Sequence, residues 1–198
     1  MTRTLPRRAI LAAGASLTAC SVLPARPYQQ RREWPLEVHP TTVPAPPGSP
    51  VLLVRETAAA PGLEARGLRT LLPDGAERLD YWEEWAVPPS QSVVACLRQW
   101  LAASGLFSAV VSPGSDLPAD LILETELLAF VADQQAGRAR ATISVVLLRH
   151  ARPLLQRTLT GEAPLAGTDG PALASSLQSA LLALLAETRA ALAPFVRA

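Results

Sequence analysis

Leu121-Ile122-Leu123-Glu124-Thr125-Glu126-Leu127-Leu128-Ala129-Phe130-Val131 is the stretch that decides the fold. Leu121, Leu123, Leu127 and Val131 alternate with Asp120, Glu124 and Glu126, the period-two pattern of a half-buried strand. Ile122, Leu128 and Phe130 fall on the other face, which is therefore not wholly polar. Asp133 to Gly137 supply a hairpin turn, and Ile143, Val145 and Leu147 alternate against Arg140, Thr142 and Ser144 on the return. A third strand near Leu154 to Thr160 completes a meander whose open face carries Glu124, Glu126, Arg138 and Arg140. Pairing of the two glutamates with Arg138 or Arg140 is the expectation there.

Outward from the meander the period changes to that of helices. Asp169-Gly170-Pro171 starts a last helix with Leu173, Leu177, Leu181, Leu184 and Leu185 on one stripe, wide enough to cover a sheet. Before the meander, Pro88-Pro89-Ser90 opens another helix, with Ser90 as the candidate cap and Gly105 as the stop. Its apolar positions Val93, Val94, Leu97, Trp100 and Leu101 recur at helical spacing. Val51 to Val54, Gly67 to Leu72, Arg78 to Trp82 and Phe107 to Val111 read as shorter strands, and Pro73-Asp74-Gly75 as a turn. The order predicts an α/β fold in two layers: a mixed, mostly antiparallel sheet with two amphipathic helices on one face. There is no internal repeat.

The N-terminus reads differently. Arg3, Arg7 and Arg8 precede the apolar run Ala9 to Ala19, which is about ten residues long where a membrane span needs about 20. The run ends at Leu17-Thr18-Ala19-Cys20, which resembles a bacterial lipobox. Residues 1–19 are therefore expected to be a lipoprotein signal peptide. Cys20 would become the new N-terminus, carrying covalent N-acyl and S-diacylglycerol lipid. Arg7-Arg8 followed by Ala-Ile-Leu leaves a twin-arginine route open beside the general one. Ser21, rather than aspartate, after the cysteine favours the periplasmic face of the outer membrane over the inner membrane. Residues 21–50 hold eight prolines in thirty positions, which predicts an extended tether over 20–49 and a folded body over 50–198. Trp34 to Val38 could add a short edge strand. Beyond the signal segment no stretch reads as a membrane span.

Composition excludes more than it assigns. All 18 basic residues are arginine, and loss of Arg3, Arg7 and Arg8 leaves fifteen against seventeen acids, near −2. With no basic run to neutralise phosphates, nucleic acid is not an expected partner. His39, His150 and Cys96 have no metal-ligand spacing, so no metal or cofactor is expected, and Cys96 reads as a buried core thiol. Ser104 and Ser115 sit in ordinary turns without a nucleophile elbow, and glycine-rich phosphate loops are missing. An enzyme is not expected. Tyr81, Trp82 and Trp85 are the candidate partner-binding residues, with some rings facing the core and one or two accessible.

The chain resembles the ABC-type transport auxiliary lipoproteins. The resemblance rests on the lipobox, the proline-rich lead, Pro50 to Val54 and the block Leu79-Asp80-Tyr81-Trp82-Glu83-Glu84-Trp85-Ala86-Val87-Pro88-Pro89. It continues through Ala103-Ser104-Gly105-Leu106-Phe107, Ala119-Asp120-Leu121 and the leucine-rich last helix. Trp82 stands where the family often has a second tyrosine, and Glu84 where an arginine is common. The resemblance implies a non-catalytic accessory of an MCE-type system that moves phospholipids between inner and outer membranes. Its partners would be an MCE-domain protein and, through it, an ABC permease and ATPase, with a homo-oligomer left open. A carrier of lipid or another small apolar ligand, and a structural envelope lipoprotein, are the alternative readings.

Overall fold

A computed structural model describes residues 29–196, so the expected signal peptide over residues 1–19 and the lipidation candidate Cys20 lie outside the described residues. The chain divides into two units, Met1–Gln30 and Arg31–Ala198, and every element among the described residues belongs to the second. In order these are β1 (Arg32–Trp34), β2 (Val51–Val54), β3 (Ala58–Ala59), β4 (Gly67–Leu71), β5 (Glu77–Trp85) and α1 (Pro89–Ala103). Then come β6 (Ala109–Val111), β7 (Leu121–Asp133), β8 (Arg138–Arg149), β9 (Arg152–Pro164) and α2 (Gly170–Val196).

The long alternating strand β7 is the spine of a nine-stranded mixed sheet. One edge pairs antiparallel with β8 along nearly its full length, and β8 pairs antiparallel with β9. The other edge is shared in three successive lengths by β2, β3 and β4, all parallel. β6 extends the sheet beyond β2, and β5 then β1 extend it beyond β4. Most of the ladder is antiparallel because two of the three antiparallel pairings, β7–β8 and β8–β9, are long and the five parallel ones span two or three residues each.

The core lies between this sheet and the two helices. Leu121, Leu123 and Leu127 of β7 and Ala139, Ala141, Ile143, Val145 and Leu147 of β8 are buried beneath Leu173, Leu177, Leu181, Leu184 and Leu185 of α2. Helix and sheet approach closely at Gly161, where an added Cβ would stand 2.2 Å from the Leu184 nitrogen and 2.3 Å from the Ala180 oxygen. Asp169 caps α2, its Oδ1 accepting from the Ala172 N–H at 2.9 Å. By length and composition α2 could cross a membrane, which corrects the expectation that nothing beyond the signal segment could. Its leucine stripe is spent on the sheet instead.

Four local expectations change. A bulge between Leu127 and Ala129 shifts the face of β7, so Phe130 is buried in the core rather than placed on the open face. The hairpin register sets Glu124 opposite Val146 and Glu126 opposite Ser144, out of reach of Arg138 and Arg140. Glu124 pairs with Arg55 and Arg138 with Glu162. At α1 the cap is Pro88 with Pro89 in the first turn, and Ser90 lies inside the helix without capping it. Finally, part of the expected tether belongs to the body. Leu36 and Val38 are buried in the core, the Cys96 thiol donates to the Leu36 carbonyl at 3.4 Å, and the Val43 N–H donates to the Ala103 carbonyl at 2.8 Å. Proline bars residues 35–50 from regular structure but not from packing.

Candidate docking site

The most specific block of the sequence forms an irregular strand. β4 and β5 pair Gly67 with Glu84 and Arg69 with Leu79, so the single residue Leu68 faces four on β5, Asp80 to Glu83. The surplus is extruded as a bulge. Asp80 holds its shape, with Oδ1 accepting from the Trp82 N–H at 2.8 Å and the Glu83 N–H at 3.0 Å. Gly67 makes room for it: a Cβ there would lie 2.4 Å from the Asp80 carbonyl oxygen.

The bulge separates the three aromatic candidates. Trp85 is 1% exposed and packs on Phe130 at 5.4 Å between ring centroids. Tyr81 is 65% exposed and Trp82 37%, and the two rings meet edge to face at 5.0 Å. Adjacent strand residues normally point to opposite sides; here both rings face solvent because the extra residues break the alternation. The structure therefore leaves Tyr81 and Trp82 accessible and gives Trp85 to the core.

Beneath the rings lies an ionic lattice that no sequence pattern announced. Glu83 accepts from Arg32 Nε at 2.8 Å and from Trp34 Nε1 at 2.8 Å, tying β1 to β5. Gly170 leaves space for this carboxylate, since a Cβ there would stand 2.3 Å from Glu83 Cδ. Glu84 is 8% exposed and pairs with Arg66 and, at 3.5 Å, with Arg31. The Arg66 guanidinium also donates to the Ala86 carbonyl and to Glu33, both at 3.0 Å. Its hydrogen bond to Glu84 is the main cause that holds its pKa above the ordinary arginine value. The Arg31 guanidinium sits 4.5 Å from the Tyr81 ring centroid, a cation–π contact. Each of these pairs joins residues far apart in sequence, and single-sequence charge patterning carries no signal for such pairings.

The other candidates are scattered. His39 lies in the lead, His150 in the β8–β9 turn, and Cys96 is buried on α1. Burial pushes the Cys96 thiol up to about 11, with Glu37 adding to the shift. Ser104 and Ser115 spend their hydroxyls on backbone groups at turns. Glu124 and Glu126 line a cleft of about 330 Å³ on the open sheet face beside Arg55 and Glu56. A second cleft of about 320 Å³ runs between the lead and the helices, lined by Pro40, Val43, Trp100 and Arg189. Among the described residues no group of three His, Cys, Asp or Glu side chains could hold a metal ion.

Comparison with solved structures places the fold. A Xanthomonas campestris protein of family DUF330 superposes with a TM-score of 0.69 at 23% identity, covering 79% of this chain and 92% of that one. A Chlamydia trachomatis hypothetical protein superposes with a TM-score of 0.54 at 13% identity, covering 75% and 98%. At these identities the likeness is one of fold. A comparison with curated proteins gives no match. The model of the family described as ABC-type transport auxiliary lipoprotein component matches residues 34–188, from Trp34 through the bulge and α1 into the last turns of α2. The chain belongs to that family of ABC-type transport auxiliary lipoproteins.

Proposed function

We propose that the protein is a non-catalytic, lipid-anchored accessory of an MCE-type ABC system that moves phospholipids between the inner and outer membranes. The observation that carries this reading is the family match over residues 34–188, which spans both layers of the fold. Acyl chains on Cys20 would hold the protein to the periplasmic face of the outer membrane, each buried methylene contributing about 0.8 kcal/mol. The folded domain would meet the MCE-domain protein, and ATP hydrolysis would belong to the permease-bound ATPase. A carrier role calls for an apolar chamber, and the space between helices and sheet is filled instead by fully buried leucines such as Leu97, Leu123, Leu177 and Leu181. The test is crosslinking and pulldown of the lipidated full chain from membranes, with identification of the captured proteins. Recovery of an MCE-domain protein with its permease supports the proposal. Recovery of neither overturns it.

A further inference from the structure

We infer that Tyr81 and Trp82, with Arg31, rest on the surface of the bilayer that carries the anchor and so fix which side of the domain faces it. The inference rests on the reading of Cys20 as the anchored residue.

Its first support is where the chain enters the body. The compact unit begins at Arg31, and Arg31 itself touches the Tyr81 ring at 4.5 Å. Only residues 21–30 separate it from Cys20, a span of at most about 40 Å even when fully stretched. Contact with that bilayer is thus intramolecular, so a surface too small to bind vesicles from solution is sufficient once tethered.

The second support is chemistry. Four of the eight large hydrophobic side chains exposed among the described residues fall between positions 79 and 87: Leu79, Tyr81, Trp82 and Val87. Tyr and Trp are the residue types whose rings settle at headgroup level, with an apolar body and a polar tip.

The third is the direction in which charge is displayed. In the pairs Arg31–Glu84 and Arg32–Glu83 the arginine side chains are 41% and 50% exposed, the carboxylates only 11% and 14%. Glu84 is further neutralised by Arg66. The Arg31 guanidinium therefore stands beside the Tyr81 ring with its partner carboxylate turned inward, an arrangement that complements a lipid phosphate, while Arg32 lies over Trp34 at 5.4 Å. Exposed Glu33 and Glu77 are paired with Arg66 and Arg69.

The experiment separates this inference from the anchor reading. The mature chain, residues 20–198, is coupled through Cys20 to a maleimide lipid in vesicles of phosphatidylethanolamine with a minority of phosphatidylglycerol and of dibrominated phosphatidylcholine. Buried Cys96 does not compete for the maleimide. Bromine should quench a component of tryptophan emission that disappears in Trp82→Phe and is weakened in Tyr81→Ala, with the Trp34, Trp85 and Trp100 emission left unquenched. Acrylamide access to Trp82 should fall on coupling. Equal bromine quenching of the wild type and Trp82→Phe overturns the inference. So does protection of Trp82 that appears only when an MCE-domain protein is added, which would make the bulge a protein-docking surface. Natural lipidation is read separately, from whether Cys20→Ala releases the protein from cell membranes.

Discussion

Cys96 illustrates how one residue's surroundings decide its chemistry. It is 3% exposed, donates to the Leu36 carbonyl, and keeps its proton to about pH 11 instead of 9.0. Above about pH 9 the unfolded chain loses this proton while the folded chain retains it, so stability is full below that pH and declines through about 11. Between about pH 8 and pH 10.5 the wild type should lose on the order of 2 kcal/mol more in urea denaturation than Cys96→Ala. Parallel loss in both proteins would refute the assignment. Tyr81, Trp82 and Trp85 make the complementary point. Three aromatic residues within five positions meet opposite fates, and what divides them is the four-against-one pairing of β5 with Leu68.

Among the elements, those written in local periodicity were the ones legible in the sequence. Val51–Val54, the β7–β8 hairpin and the leucine stripe of α2 follow from alternation, turn residues and a cap, all of them neighbours in the chain. The three-way sharing of β7, the short strands β1 and β3, and the Glu83–Arg32–Trp34 contacts are set by partners some fifty or more residues away, where no local pattern reaches. Phe130 changed face because a bulge resets the count of two, which a hydrophobic pattern alone does not reveal. The candidate site was legible as a cluster of aromatic residues, but not as a bulge. The α2–β9 contact invites a test at this scale. Gly161→Ala would force its methyl onto the backbone of α2 near Ala180 and Leu184 and should cost about 3 kcal/mol. A urea midpoint equal to that of the wild type would show that the helix can lift without penalty.

For the whole molecule, the unit that folds is longer at its N-terminal end than proline content implied. Leu36 and Val38 are part of the same core as the α2 leucines, and Gln178 of α2 donates to the Glu37 carbonyl at 2.9 Å. A chain beginning at Arg31 should match one beginning at Cys20 in stability. One beginning at Pro44 loses both apolar anchors, and about 3–5 kcal/mol with them. Denaturation of the two truncations decides it: equal midpoints would return residues 31–43 to the tether. Only residues 21–30 then separate Cys20 from the folded unit.

β7 has one more consequence, for where the chain tolerates a change in length. Because β2, β3 and β4 seat on one of its edges at separate places while β8 holds the other, β7 works like a key cut with three notches. Deleting a single residue between Leu121 and Leu127 would turn the leucines outward and unseat neighbours drawn from distant parts of the sequence at the same stroke. Insertions have room in the turn at 112–118, whereas the 134–137 turn adjoins the β4 notch, its Gln134 N–H donating to the Leu71 carbonyl at 3.0 Å.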